Sequence, residues 1–325
     1  VEQASAPENS NTERAIASAL PPFPVGDETT DNPEHIIHLP VDHYGTTVYV
    51  RSLAQKNLDK PPLVLVHDLG EHGDCYHQAA QSFFSQGYSV YTYDWRGHGR
   101  SGWQLGHAPS FAVLVQDLLQ VVAWARHRAG GQGPVIIGQG VGALMVMEFT
   151  KRFPAFCSGA VLSAPCLELQ SAVGGLQALI LRLLADVLPT ARVWQPFVPR
   201  FTSGRVNRRP MSREDGELNT RFSGITAALA SEVILAMKRA ETRFIEFDGS
   251  VLILCPEQDQ ICSYQHLKKS AALHGDHNVQ ILDLKNTTHG VLTEADDTRE
   301  DVVALILGWL GRVVVRRREP SVEFT

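Results

Sequence analysis

The chain has 325 residues, a length that suits one large domain or two medium ones and allows a sizeable core. With 44% hydrophobic and 20% charged residues, 26 glycines and 18 prolines, it is neither collagen-like nor wholly disordered. A net charge of -6, with the basic residues spread along the chain, excludes the concentrated positive surface that nucleic acid requires.

The first thirty residues are polar, contain proline and lack apolar periodicity, so residues 1–33 read as a flexible tail. The start at Val1 favours an exported protein whose leader was removed, with a cytoplasmic one as the alternative. From Glu34 the pattern becomes regular. Ile36, Ile37 and Leu39, then Thr47 to Arg51, predict two strands joined through Asp42-His43-Tyr44-Gly45. Leu63 to Val66 is a short, wholly apolar run of the kind buried on both faces of a parallel sheet. Similar runs recur at Ser89–Tyr93, Val135–Ile137, Ala160–Leu162, Val251–Leu254 and Val279–Leu282, separated by helical patterns. One such helix is capped by Ser110 and carries Phe111, Leu114, Val115, Leu118, Val121, Val122 and Ala125 at 3.6-residue spacing up to Gly130-Gly131. Alternating strand and helix predicts an α/β fold with a mostly parallel sheet covered on both faces.

Residues 166–247 break the rhythm with helical patterns and no strand-like run, and are expected to form a cap over the carboxyl ends of the strands. The boundaries are then a core in two parts, 34–165 and 248–318, the cap between them, and a tail at 319–325. The longest apolar stretch, Leu176 to Leu188, is interrupted by Arg182 and Asp186 and is too short to cross a bilayer. The arginines at 205, 208, 209 and 213 read as solvated cap surface.

The strand Val135–Ile137 runs into Gly138-Gln139-Gly140-Val141-Gly142 and then a helix. That is the strand, sharp turn, helix setting of a nucleophile elbow, whose usual pattern is Gly-x-Ser-x-Gly. Here the central residue is Gly140. Downstream, Asp259 follows one predicted strand and His289 another, which is the order nucleophile, acid, histidine. In such a triad His289 would take the nucleophile's proton and Asp259 would fix its tautomer.

On these residues the chain resembles the monoacylglycerol lipase and lysophospholipase branch of the α/β-hydrolases, also grouped as serine aminopeptidase S33. The resemblance rests on His67-Asp68-Leu69-Gly70-Glu71-His72, Asp94-Trp95-Arg96-Gly97-His98-Gly99-Arg100-Ser101-Gly102, the elbow, Leu162-Ser163-Ala164-Pro165, Asp259 and His289. It implies a lipase or esterase acting on carboxylic acyl esters, with a lipid-like small-molecule ligand and no cofactor. It assigns the oxyanion hole to the N–H groups of Leu69 and Val141, a binding role to His67 and Asp68, and a lid to the Leu176 to Leu188 helix, through which peripheral membrane contact would occur. Oligomeric state is left open.

Two positions depart from the pattern: Gly140 where the family has Ser, and Asp68 where it has Gly. Glycine has no side chain to attack with, so an acyl-enzyme at residue 140 is unavailable and activity should be absent or feeble. Triad knockouts elsewhere keep only about 10³–10⁴-fold over water. An Asp68 side chain turned inward would repel a developing oxyanion, and one turned outward would cost little. Gly140→Ser is expected to put a nucleophile beside His289, and Asp-nucleophile chemistry such as dehalogenation is ruled out by the same Gly140. The alternative is a pseudoenzyme that binds an acyl ligand or a protein partner. His67, His72, His77, Asp74 and Cys75 lack metal-ligand spacing, so no metal is expected. Among the five cysteines, Cys255 and Cys262 could bridge in an oxidising compartment, but buried free thiols are expected. Asp259 could also cap the helix beginning near Ser263.

Overall fold

The computed structural model describes residues 15–16, 18–24, 33–170, 173–193, 224–242, 246–273, 278–293 and 296–318; in the last helix, side chains are described for 297–312. Eight strands form one sheet in the order β1-β2-β4-β3-β5-β6-β9-β10. They are β1 (Glu34–Pro40), β2 (Thr47–Leu53), β3 (Leu63–Val66), β4 (Val90–Tyr93), β5 (Val135–Gln139), β6 (Gly159–Ser163), β9 (Ser250–Pro256) and β10 (Val279–Leu284). The expected opening hairpin is present: β1 pairs antiparallel with β2, and β2 antiparallel with β4. From β4 onward every pairing is parallel.

Strand β3 shows how an apolar run is used on both faces. Val64 and Val66 face the layer of α2 (Phe111–Arg128) and α3 (Val141–Arg152), whereas Leu63 and Leu65 face the layer of α1 (His77–Ser85) and α7 (Asp296–Arg318). Successive strand side chains point to opposite faces, so a strand between two helical layers is apolar at every position. Ser110 caps α2 as expected, its hydroxyl accepting from the Val113 N–H at 3.3 Å.

Between β6 and β9 lie α4 (Gly175–Val187), β7 (Arg192–Val193), β8 (Ile225–Thr226) and α5 (Ala227–Thr242). The short antiparallel β7–β8 pair corrects the expectation of a cap without strands; two-residue strands are below what periodicity can register. Helix α4 packs on α5, and α5 on α3. The expected arginine surface at 205–213 lies outside the described residues.

The expected tail is corrected in part. Ile16, Leu20 and Phe23 pack against the core, the Pro21 carbonyl accepts from Gln120 Nε2 at 2.8 Å, and Phe23 lies against the His127 ring. Three larger apolar side chains among alanines and prolines are enough to dock a segment without giving it a period.

Of the two cysteines expected to be buried free thiols, Cys255 is one and Cys262 is not. Cys166 and Cys262 form a disulfide across 96 residues, and Cys255 is a buried free thiol. Cys255 sits inside β9, seven positions from Cys262 along the chain, whereas the loop after β6 comes beside the loop after β9, with Leu169 bridging to Cys262.

Candidate active site

All the candidate residues sit beyond the carboxyl ends of β3, β5, β9 and β10, where open α/β sheets bind ligands. The elbow forms as its glycines require. Gly140 has φ 57°, in the left-handed region that side chains adopt reluctantly, and it starts α3. A Cβ on Gly142 would overlap the Val66 and His67 carbonyls, so this glycine lets α3 approach the end of β3.

The acid and histidine meet. The Asp259 carboxylate accepts from the Ile261 and Cys262 N–H groups through Oδ1, each at 2.8 Å, and its Oδ2 lies 2.7 Å from His289 Nδ1. The helix beyond, α6 (Tyr264–Leu273), is capped not by Asp259 but by Ser263, whose hydroxyl accepts from the His266 N–H. Asp259 is thus committed to the turn and to the imidazole.

Asp68 is turned inward. Its Oδ1 accepts from the Val141 N–H at 2.7 Å and its Oδ2 lies 3.0 Å from His289 Nε2. A Cβ built on Gly140 would lie 2.6 Å from Oδ2 and closer still to Oδ1 and Cγ. The two departures from the family pattern are therefore one feature: the space of a side chain at 140 holds the carboxylate of Asp68. The exclusion of Asp-nucleophile chemistry rested on residue 140 alone; the carboxylate found in that space comes from the loop after β3. Leu69, assigned with Val141 to the oxyanion hole, is buried next to Asp68.

His289 stands between two carboxylates, so both its ring nitrogens face acceptors. Burial pulls its pKa down, but hydrogen bonds and charge from Asp259 and Asp68 outweigh that and raise it to about 10. The two flanking carboxylates thus favour the protonated ring at neutral pH. Glu71 lies behind Asp68, its Oε2 accepting from the Asp68 N–H at 3.2 Å and from the Tyr76 hydroxyl at 2.6 Å. Burial, with the charge of Asp68, raises the Glu71 carboxyl to about 7.

His67, expected to bind, serves the loop instead. Its Nε2 accepts from the Trp95 N–H at 2.9 Å, which leaves Nδ1 to donate to the Asp68 carbonyl at 2.7 Å. Burial and the neighbouring His98 push its pKa well below the usual histidine value, and a neutral ring fits this tautomer. Asp94 holds the same region from the other side, accepting from the Gly73 and Arg100 N–H groups at 2.7 Å each.

Gln139 was missed in the sequence. Its amide donates to the His289 carbonyl and accepts from the Ser163 hydroxyl at 2.8 Å, tying the elbow to the histidine loop. It occupies the variable position of the motif, and only the convergence of β5, β6 and the loop after β10 reveals it. Asp259, Cys262 and His289 bring one potential metal ligand each within 4.8 Å. The Cys262 sulfur is bound in the disulfide and the other two groups bond each other, so this trio does not fit a metal.

Residues 59–296 match the family described as serine aminopeptidase, S33. The chain belongs to that family. A monoacylglycerol lipase of Mycolicibacterium smegmatis is 31% identical over 127 residues, which cover 39% of this chain and 45% of the lipase. A monoglyceride lipase homolog of monkeypox virus is 24% identical over 77% of this chain and 89% of its own length. Among solved structures, a monoglyceride lipase from Saccharomyces cerevisiae covers 90% of this chain and 99% of its own at a TM-score of 0.70 and 15% identity. The monoacylglycerol lipase of Paleococcus ferrophilus covers 82% and 99% at 0.65 and 22%. The fold is that of the α/β-hydrolases, with a monoacylglycerol-lipase-like scaffold. Among the described residues no helix is long and apolar enough to cross a membrane.

Proposed function

We propose that this chain is a pseudo-hydrolase with respect to serine chemistry: it keeps the scaffold for acyl esters but does not form an acyl-enzyme at residue 140. The observation that carries this reading is the Asp68 carboxylate, bonded to Val141 N–H and facing His289 in the space a serine side chain would use. Three effects combine against ester hydrolysis. Residue 140 carries no hydroxyl, the oxyanion donor at Val141 is already occupied by the Asp68 side chain, and the flanking carboxylates favour a protonated histidine.

The ligand we assign is an acyl chain with a small polar head, on the strength of relatives named as monoglyceride lipases and a probable lysophospholipase. The exposed Leu176, Leu179, Leu183 and Val187 of α4 support a cap that meets lipid surfaces.

The test uses the native chain, Gly140→Ser, and Gly140→Ser combined with Asp68→Gly. A fluorophosphonate probe and 4-nitrophenyl butyrate report on nucleophile and turnover. Native protein and the single variant are expected to stay unlabelled and near background, because a residue-140 side chain and the Asp68 carboxylate compete for one space. The double variant is expected to label and to gain on the order of 10³-fold in ester hydrolysis, the scale on which triad members act. Labelling of the single variant equal to that of the double would overturn the reading. Binding is tested separately by native mass spectrometry with 1-monooleoylglycerol, where no complex at any ratio contradicts the acyl assignment.

A further inference from the structure

The segment Leu20-Pro21-Pro22-Phe23-Pro24 docks on α2, and the contact has the parts of a peptide-recognition site. The segment is preset to be extended: each proline fixes its own φ, and Leu20, Pro21 and Phe23 each precede a proline and are kept out of the helical region. Such a chain loses little entropy on docking. Gln120 and His127 receive it. They lie seven positions apart, two turns along one face of α2. Gln120 is fully buried and donates from Nε2 to the Pro21 carbonyl at 2.8 Å, while the exposed His127 ring stands 5.2 Å from the Phe23 ring, centroid to centroid. Pro21 is buried, and Leu20 and Phe23 are half-buried against the core.

The segment leaves this site half-satisfied. The other end of the Gln120 amide, Oε1, is buried without a hydrogen-bond partner among the described residues. A glutamine amide can donate to a backbone carbonyl and also accept a backbone N–H. Pro21 and Pro22 each have a carbonyl but no N–H. We propose that this face of α2 binds an extended segment of a partner protein, in which a leucine and a phenylalanine flank a residue with a free backbone N–H in the place of Pro21, and that residues 20–24 are its placeholder. A second copy of this chain would bring the same Pro21 and leave the same oxygen empty, so exchange of segments between copies gains nothing over the internal contact. The site shares no residue with the elbow, the acid loop or the histidine loop, and does not depend on acyl binding.

The test uses full-length protein and two synthetic peptides, read by fluorescence anisotropy. One has the segment's own sequence, Ser-Ala-Leu-Pro-Pro-Phe-Pro-Val-Gly, and the other has alanine in place of the proline that corresponds to Pro21. Leu20→Ser with Phe23→Ser removes the two apolar anchors of the internal occupant and opens the site. The opened protein is expected to bind the alanine peptide about tenfold more tightly than the proline peptide, the order of one hydrogen bond. Native protein is expected to bind both more weakly than the opened protein, because its own segment competes. Gln120→Leu in the opened protein is expected to erase the advantage of the alanine peptide, and His127→Ala to weaken both peptides.

An opened protein that binds neither peptide, that does not favour the alanine peptide, or that keeps the preference with Gln120→Leu would overturn the inference. So would native protein that binds as tightly as the opened one. A native dimer in sedimentation that is lost with Phe23→Ser would overturn it in favour of a second copy. If the opened variant fails to fold, the comparison is made on native protein through the NMR signals of the Gln120 side-chain amide. These are expected to move at a lower concentration of the alanine peptide than of the proline peptide, and signals that the alanine peptide leaves unmoved would contradict the proposal.

Discussion

Two buried groups give the site a pH signature. His289 has a folded pKa of about 10, above its ordinary 6.5, so the stability it contributes is complete below pH 6.5 and is lost as pH rises towards 10. Glu71 is raised from 4.5 to about 7, so it too binds its proton more tightly in the folded state, and stability falls between those values as the buried carboxyl ionises. Melting temperature is therefore expected to decline in both windows, and Glu71→Gln to flatten the lower one. A melting temperature that rises from pH 5 to pH 9 would contradict both assignments. Gln139→Ala removes two buried hydrogen bonds and leaves the His289 carbonyl and Ser163 hydroxyl without that partner, an expected loss of about 1–3 kcal/mol in chemical denaturation. At this scale the sequence revealed the identities of Gly140, Asp68, Asp259 and His289 but not their geometry. Nothing in the spacing of two residues 72 positions apart shows that the side chain missing from one is replaced by that of the other.

Elements were more legible than residues, for a physical reason. A strand between two helical layers must be apolar throughout, and β3, β4, β5, β6 and β9 lie in such runs. A capped amphipathic helix announces its start, and Ser110 does so for α2. Ser110→Ala is expected to cost about 1 kcal/mol, whereas Leu65→Ala, which empties a fully packed position in β3, is expected to cost about 2–5 kcal/mol. Equal losses for the two in urea denaturation would contradict the assignment of α2's start or of β3's burial. The two-residue strands β7 and β8 and the docking of Leu20 and Phe23 were not legible, since each depends on contacts between segments far apart in the chain.

For the whole molecule, the disulfide joins the entry of the cap to the acid loop. The Cys166 N–H donates to the Gly140 carbonyl at 3.3 Å and the Cys262 N–H to Asp259 Oδ1 at 2.8 Å. It therefore ties the elbow to the acid while closing a loop of 96 residues. Loop closure of that length stabilises by about 4.7 kcal/mol on the chain-entropy relation, and replacing both cysteines with serine is expected to lower stability by about 2–5 kcal/mol. An unchanged melting temperature would show that the bridge is absent in solution. Sequence proximity offered Cys255 as the one possible partner, with free thiols expected, but pairing follows which loops the parallel strands bring together. The family, the sheet and the convergence of the acid and the histidine were readable from the chain; the refilled elbow was not, and the chemistry turns on it. Nitrogen-15 NMR of the His289 ring at pH 8 tests that feature directly. Both ring nitrogens are expected to be protonated in the native protein and only one in Asp68→Asn; a neutral imidazole in the native protein, or the same spectrum in both, would mean that Asp68 does not occupy the site.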